Sequence, residues 1–241
     1  MSKQKGLFDE EIRLKKIKNQ GDPLIRLKEM INWEQFRSVL KKIFRKKAKG
    51  PGGRPPYDYV LMFKILFLQR LYNLSDAQME YQILDRLSFM RFLDLDLHDN
   101  VPDEKTIWNF REQIKDKVEL LFERLREYLM EQGAIAQTGN IIDASIIEIP
   151  KQRNTKDENK EIKNNEEPEN WTDNKRRQKD IDARWVKKNN RNYYGYKNHI
   201  KIDKKSKLIK KYTVTDASVH DSQVVEELLE VNDNHHELFA D

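Results

Sequence analysis

The apolar positions of this chain fall into two regimes that change at about residue 138. From Asp22 to Lys47, "DPLIRLKEMINWEQFRSVLKKIFRKK" sets Leu24, Leu27, Met30 or Ile31, then Phe36, Val39, Leu40 and Ile43 three and four residues apart, the spacing of one helical face. "KGPGGRPPY" ends that segment, because glycine and proline together do not continue a helix. Three more helices are predicted. The first covers about Tyr57–Leu71 and is apolar almost all round; the second starts at Ser75, which forms a capping box with Gln78. The third follows Pro102, with Asp103 as N-cap and Ile107, Phe110, Arg111 and Ile114 along it. An amphipathic helix over about Lys115–Gln132 stops at Gly133, a natural C′ residue.

Beyond Thr138 the period shortens. "NIIDASIIEIP" is rich in isoleucine and ends at a proline, which predicts a strand. Residues 151–191 are mostly Lys, Asn, Glu and Asp, with Trp171, Ile181 and Trp185 as the few apolar anchors, and read as a flexible, solvated insertion. "YYGYKNHIKID" and "KLIKKYTVTD" flank a tight polar turn and predict a β-hairpin. A short helix follows, with Asp221 as N-cap and Val224, Val225, Leu228 and Leu229 buried; "HELFAD" reads as a last strand. The order strand, strand, strand, helix, strand implies antiparallel pairing first, then a right-handed crossover into parallel pairing. The fold class is α+β: a charged arm (1–21), a helical domain (22–133), and a mixed α/β domain (138–241) that holds the 151–191 insertion.

Composition narrows the function. Hydrophobic residues make up 37% and charged residues 36% of 241. The longest apolar run, "VLMFKILFLQRL", is interrupted by Lys64 and Arg70, so no membrane span or secretory signal is read. Cysteine is absent, which excludes thiolate metal sites and agrees with a reducing cytosol. The net charge of +5 is unevenly placed: residues 1–54 hold 16 Lys and Arg against 6 Asp and Glu, and residues 151–211 hold 20 against 10. Two basic blocks point to a polyanion partner. Lys41, Lys42, Arg45, Lys46, Lys47, Lys49 and Arg54 flank the Gly/Pro loop as phosphate-binding candidates. Arg184, Lys187 and Lys188, and Lys197 and His199 alternating along a strand, form a second group.

Two acids fall where strand chemistry would use them. Asp143 sits inside the isoleucine-rich strand and Asp241 closes "HELFAD". A crossover that sets those strands side by side lets the two carboxylates share a divalent cation, and two such ions can activate the nucleophile and stabilise the leaving oxygen in phosphodiester cleavage. Asp203, Asp216 and Asp221 are rivals with simpler roles as turn formers or caps. The five histidines lack paired metal-ligand spacing, and neither a Walker-type loop nor a nucleophile motif occurs.

"DPLIRLKEMINWEQF", "GRPPYDYVLMFKILFLQRLYNLSDAQMEYQILDRLSFMRFLDL" and "VPDEKTIWNFRE" resemble the N-terminal helical domain of bacterial insertion-sequence transposases of the IS-five type. "NIIDASIIE", "DIDARWVKKNNRNYYGYKNHIKID", "YTVTDASVHDSQVVEELL" and "LFAD" resemble the opening of their catalytic domain. The resemblance implies an RNase-H-like fold and a DDE site with Asp143 as first acid and Asp241 as second. It also implies Mg²⁺ or Mn²⁺ as cofactor, and double-stranded DNA, as terminal inverted repeats and target, as substrate. Cleavage at element ends and transfer of the 3′-hydroxyl would be the reaction, in the bacterial cytoplasm at the nucleoid. In the family the third acid is a glutamate on a later helix, whereas Glu226, Glu227 and Glu230 precede Asp241. The expectation is therefore the front portion of a transposase, inactive alone. It would work as a homo-oligomer or with a full-length partner, or else act as a non-catalytic DNA-binding regulator.

Overall fold

A computed structural model describes residues 9–44, 55–135, 139–149, 154–164, 166, 168, 171–231, 233 and 237–240. It divides into two units, one running to Leu125 and the other from Arg126, so that the boundary falls inside a helix rather than after it.

The first unit is helical: α1 (Asp9–Asn19), α2 (Pro23–Met30), α3 (Arg37–Ile43), α4 (Tyr59–Leu71), α5 (Asp76–Asp85), α6 (Leu87–Leu93), α7 (Glu104–Ile114) and the start of α8 (Val118–Glu131). The side chains of Asp22, Asp58 and Asp103 cap α2, α4 and α7, and the Ser75–Gln78 capping box of α5 has both its hydrogen bonds. Gly133 follows α8 with φ +65°, a conformation glycine adopts without strain.

Two predicted helices are broken. The long segment from Asp22 splits at Ile31–Asn32, and a 3₁₀ turn over Trp33–Phe36 leads into α3. Trp33 is the reason: it turns inward against Phe63, Phe67 and Phe92, with ring centroids 6.2, 5.2 and 5.4 Å away. The helix that begins after Ser75 breaks at Arg86, whose extended backbone separates α5 from α6. Lys64, in the apolar body of α4, is buried and satisfied: its ammonium donates to Asp94 at 2.7 Å, and Asp94 also pairs with Lys28.

In the second unit the strands are β1 (Gly139–Glu148), β2 (Arg184–Lys188), β3 (Arg191–Asp203), β4 (Ile209–Asp216) and β5 (Glu237–Ala240). β1 and β4 run antiparallel to β3 along its C-terminal part, and β2 forms a hairpin with its N-terminal part. β5 lies parallel to β1, so the predicted crossover is present. β2 was not expected. Asn189 and Asn190, both at positive φ, turn the chain between it and β3. Within the charged 151–191 stretch the described residues also include α9 (Lys156–Lys163), capped by Thr155, and α10 (Asp173–Arg176), with Trp171 buried. The crossover helix α11 (Val225–Leu228) puts Val224 and Leu228 against Ile142 of β1, with Val219, Val225 and Leu229 around them. The result is an α+β architecture whose mixed sheet fits an RNase-H-like fold.

Gly195 is required where β3 passes β1. A Cβ there would lie 2.0 Å from the carbonyl oxygen of Ile147, so no side chain fits without moving backbone.

Candidate active site

Residues alternate sides along a strand. On β1 this sends Asn140 and Ile142 to the face that α11 covers, where both are buried, and Asp143, Ser145 and Ile147 to the other face, where all three are exposed. The isoleucines around Asp143 thus do not bury it. Its Oδ1 accepts the Ala144 N–H at 2.7 Å, and among the described residues no cation pairs with it. A groove of about 410 Å³ follows the β1–β5 seam past this carboxylate, with Ile141, Phe239 and Ala240 in its walls.

The β1–β5 register is Gly139 with Glu237, Asn140 with Leu238, Ile141 with Phe239 and Ile142 with Ala240. Asp241 lies outside the described residues.

The covered face of the sheet holds a polar cluster that sequence reasoning missed. Lys201, fully buried on β3, donates to Asp233 at 2.7 Å and to Glu230 at 2.8 Å. Asp233 also accepts from Asn140 of β1 at 2.7 Å and from the Glu230 N–H at 2.8 Å. Lys210 of β4 donates to the Asn140 side-chain oxygen at 2.8 Å, and Glu230 pairs with Arg126 of α8 at 2.8 Å. Although burial opposes ionisation of Asp233, the hydrogen bond from Lys201 and the other donors hold its pKa down at about 2. The cluster ties β1, β3 and β4 to the chain just before β5.

The same alternation corrects the reading of Lys197 and His199 as a DNA-facing pair near Asp143. Asp143 is opposite Ile200, whereas Lys197 and His199 are opposite Ile146 and Ala144, on the other face. Both are buried. Lys197 donates to the Val219 carbonyl at 2.7 Å and to Asp221 at 2.9 Å. His199 Nε2 is 2.9 Å from the Thr215 hydroxyl, and burial pushes the imidazole pKa down. Neither is free to grip a DNA backbone. The available signal was the run Lys197, His199, Lys201, Asp203 at every second position; it marks a polar face, but one enclosed by the crossover.

Among the rival acids, Asp203 accepts the Lys205 and Ser206 N–H groups and Asp216 accepts that of Ser218, so both form turns. Asp221 is not the helix cap: His220 caps the 3₁₀ turn over Asp221–Gln223, and the Asp221 carboxylate pairs with Lys197.

Of the remaining basic candidates, Lys41 and Lys42 are exposed in the last turn of α3. Arg45, Lys46, Lys47, Lys49 and Arg54 lie outside the described residues. Lys187 and Lys188 are exposed on β2, and half-buried Arg184 donates to the carbonyls of Ile181 and Ala183 at 2.6 and 2.9 Å. Among the described residues no helix is long and apolar enough to cross a membrane, and no cluster of three or more His, Asp or Glu is poised to hold a metal.

Comparison with known proteins agrees with this geometry. Residues 12–113 match a transposase domain family (DUF772), and residues 136–241 match the transposase DDE domain family. No solved structure matches the chain. The second match takes in the whole mixed sheet with its exposed Asp143, the first takes in most of the helical unit, and on the two together the chain belongs to the DDE transposases of insertion sequences.

Proposed function

We propose that the chain provides the DNA-cutting and DNA-joining site of an insertion sequence of the IS-five type, with Asp143 as its first catalytic acid and Asp241 as its second. The observation that carries this reading is the parallel β1–β5 ladder. Its last described pair is Ile142 with Ala240, and the next residue in sequence after each is an aspartate. Neighbouring strands lie ~4.8 Å apart, close enough for two carboxylates at one level to hold one cation.

The donor set fits Mg²⁺ or Mn²⁺: hard carboxylate oxygens on an open groove, with Asp143 exposed and unpaired among the described residues. Bound there, the metal would activate the attacking oxygen and stabilise the leaving one. The protein's own part is positional. Asp143 is set by its ladder with β3, and the Lys201–Asp233 cluster holds the chain entering β5 at the matching height. Exposed Lys41, Lys42, Lys187 and Lys188, with Arg184, contact phosphates of the terminal repeats and target DNA, giving affinity without base reading.

Two of the crossover's glutamates are already engaged. Glu230 is tied to Lys201 and Arg126, and Glu227 accepts the hydroxyl of Thr213, which lies opposite His199 on the covered face.

A direct test is Mn²⁺ binding, followed by loss of the free-ion EPR signal. Asp143→Asn and Asp241→Asn should each weaken binding by roughly tenfold or more, while binding of terminal-repeat duplex stays unchanged. Wild-type metal affinity in both variants would remove the two-acid assignment.

A further inference from the structure

A second concave site lies away from the β1–β5 groove. It is a cavity of about 400 Å³ between α9 and the β2–β3 hairpin. Lys156, Asn159, Lys160 and Lys163 line it from α9 at positions i, i+3, i+4 and i+7, which is one face of the helix. Arg184 and Trp185 of β2 line it from the other side.

The helix is held in place from elsewhere on its surface. Glu158 closes the capping box with Thr155, accepts the Trp171 indole N–H at 2.8 Å, and pairs with Lys175 and Lys179 at 3.0 and 3.1 Å. These donors outweigh the effect of burial and hold its carboxyl well below the usual range.

The cavity lining is chemically unbalanced. It contains four cations and no acid. Among the described residues the three lysines make no ion pair, and the hydrogen bonds of Arg184 go to backbone carbonyls. Asn159 is only 8% exposed, yet neither its amide oxygen nor its amide nitrogen has a partner. An unsatisfied buried amide is costly and calls for a ligand group. Trp185 adds a flat apolar surface, pinned by its N–H to the Asn154 carbonyl at 3.1 Å and by its ring against Tyr194 at 5.1 Å.

A plain phosphate would neutralise the cations and could accept from the Asn159 amide nitrogen, but a fully ionised phosphate gives its amide oxygen no donor. An apolar ligand would pack on Trp185 but match neither the cations nor the amide. We propose that this cavity binds a single unpaired nucleotide, its base on Trp185 with the hydrogen-bonding edge toward Asn159, and its phosphate among Lys156, Lys160, Lys163 and Arg184. Stacking on an aromatic ring beside a basic groove is how proteins hold unpaired nucleotides generally. The proposal rests on the DNA-acting reading only for the source of that nucleotide, a DNA strand rather than the free pool.

The test uses the full chain and a fluorescent oligothymidylate of about six nucleotides, with thymidine monophosphate and inorganic phosphate as competitors. Asn159→Ala and the exposed pair Lys160→Gln/Lys163→Gln should each weaken the single strand by roughly tenfold, with terminal-repeat duplex affinity within about twofold of wild type. Competition by the mononucleotide, sensitive to Asn159→Ala, would place the whole determinant in one nucleotide; sensitivity confined to the oligonucleotide would make the strand the ligand. Unchanged affinity in both variants, or inorganic phosphate competing as well as the mononucleotide, would overturn the proposal. If instead the DNA-acting reading is at fault, duplex binding and Asp143-dependent Mn²⁺ binding are absent while nucleotide binding persists.

Discussion

Asp233→Asn probes the device that holds the chain entering β5 against the rest of the sheet. In the native protein this carboxylate accepts from Lys201, Asn140 and the Glu230 N–H, with Lys210 3.5 Å away. Its pKa is held at about 2, against an ordinary 3.8, and the residue is 9% exposed, so solvent screens the interaction little. That displacement is equivalent to about 2 kcal/mol of stability at neutral pH. Because the folded pKa is the depressed one, the contribution is complete above the ordinary carboxylate range and disappears as pH falls from about 4 to 2. Hydrogen exchange read by mass spectrometry assigns the loss to the sheet. At pH 7 the β1 and β3 amides of the variant should exchange roughly 30-fold faster if they open with the unit as a whole. After correction for intrinsic rates, the difference from wild type should shrink on acidification and be nearly gone at pH 2. Protection unchanged at pH 7, or a deficit of equal size at both pH values, would refute the argument. A deficit confined to α4 and α5 would refute its location.

Gly195→Ala puts a Cβ on the Ile147 carbonyl and should cost at least about 2 kcal/mol, lowering the second unit's calorimetric transition by roughly 8 °C or more; an unchanged transition would mean that β1 and β3 do not pass this closely. Ser75→Ala removes half of the α5 capping box and should cost about 1 kcal/mol in urea unfolding of the helical unit. Glu158→Gln should free α9, read as a red shift of Trp171 emission at pH 7. In the wild type the same shift should appear only on acidification well below the ordinary carboxylate range, since the folded pKa is depressed. Lys187→Gln and Lys188→Gln should each reduce the slope of log affinity for duplex DNA against log salt by about 0.9, and an unchanged slope would take β2 out of the DNA interface.

Local signals were the legible ones. The capping oxygens of Ser75 and Asp103 act on amides three residues away, so those helix starts could be read from a few residues. The breaks at Asn32 and Arg86 could not, because no proline or glycine marks them; Trp33 leaves the helical path for ring contacts supplied by α4 and α6. β2 was hidden in a charged stretch whose composition favours solvent. Pairing with β3 stabilises it, and that partner lies across an Asn-Asn turn that was not recognised.

The candidate site divides in the same way. Asp143 on an isoleucine-rich strand, a crossover helix buried through Val224 and Leu228, and an aspartate just after a final strand were all visible in one dimension. The sequence by itself determined which residues alternate together. An alternation of period two separates two faces but does not say which one the rest of the protein covers. Only the tertiary structure decided that the Lys197–Asp203 face is enclosed and the Asp143 face open, because α11 lands on the former. The ion pairs follow from that choice: Lys201 and Asp233 are 32 residues apart, and nothing in either one's neighbourhood along the chain names the other.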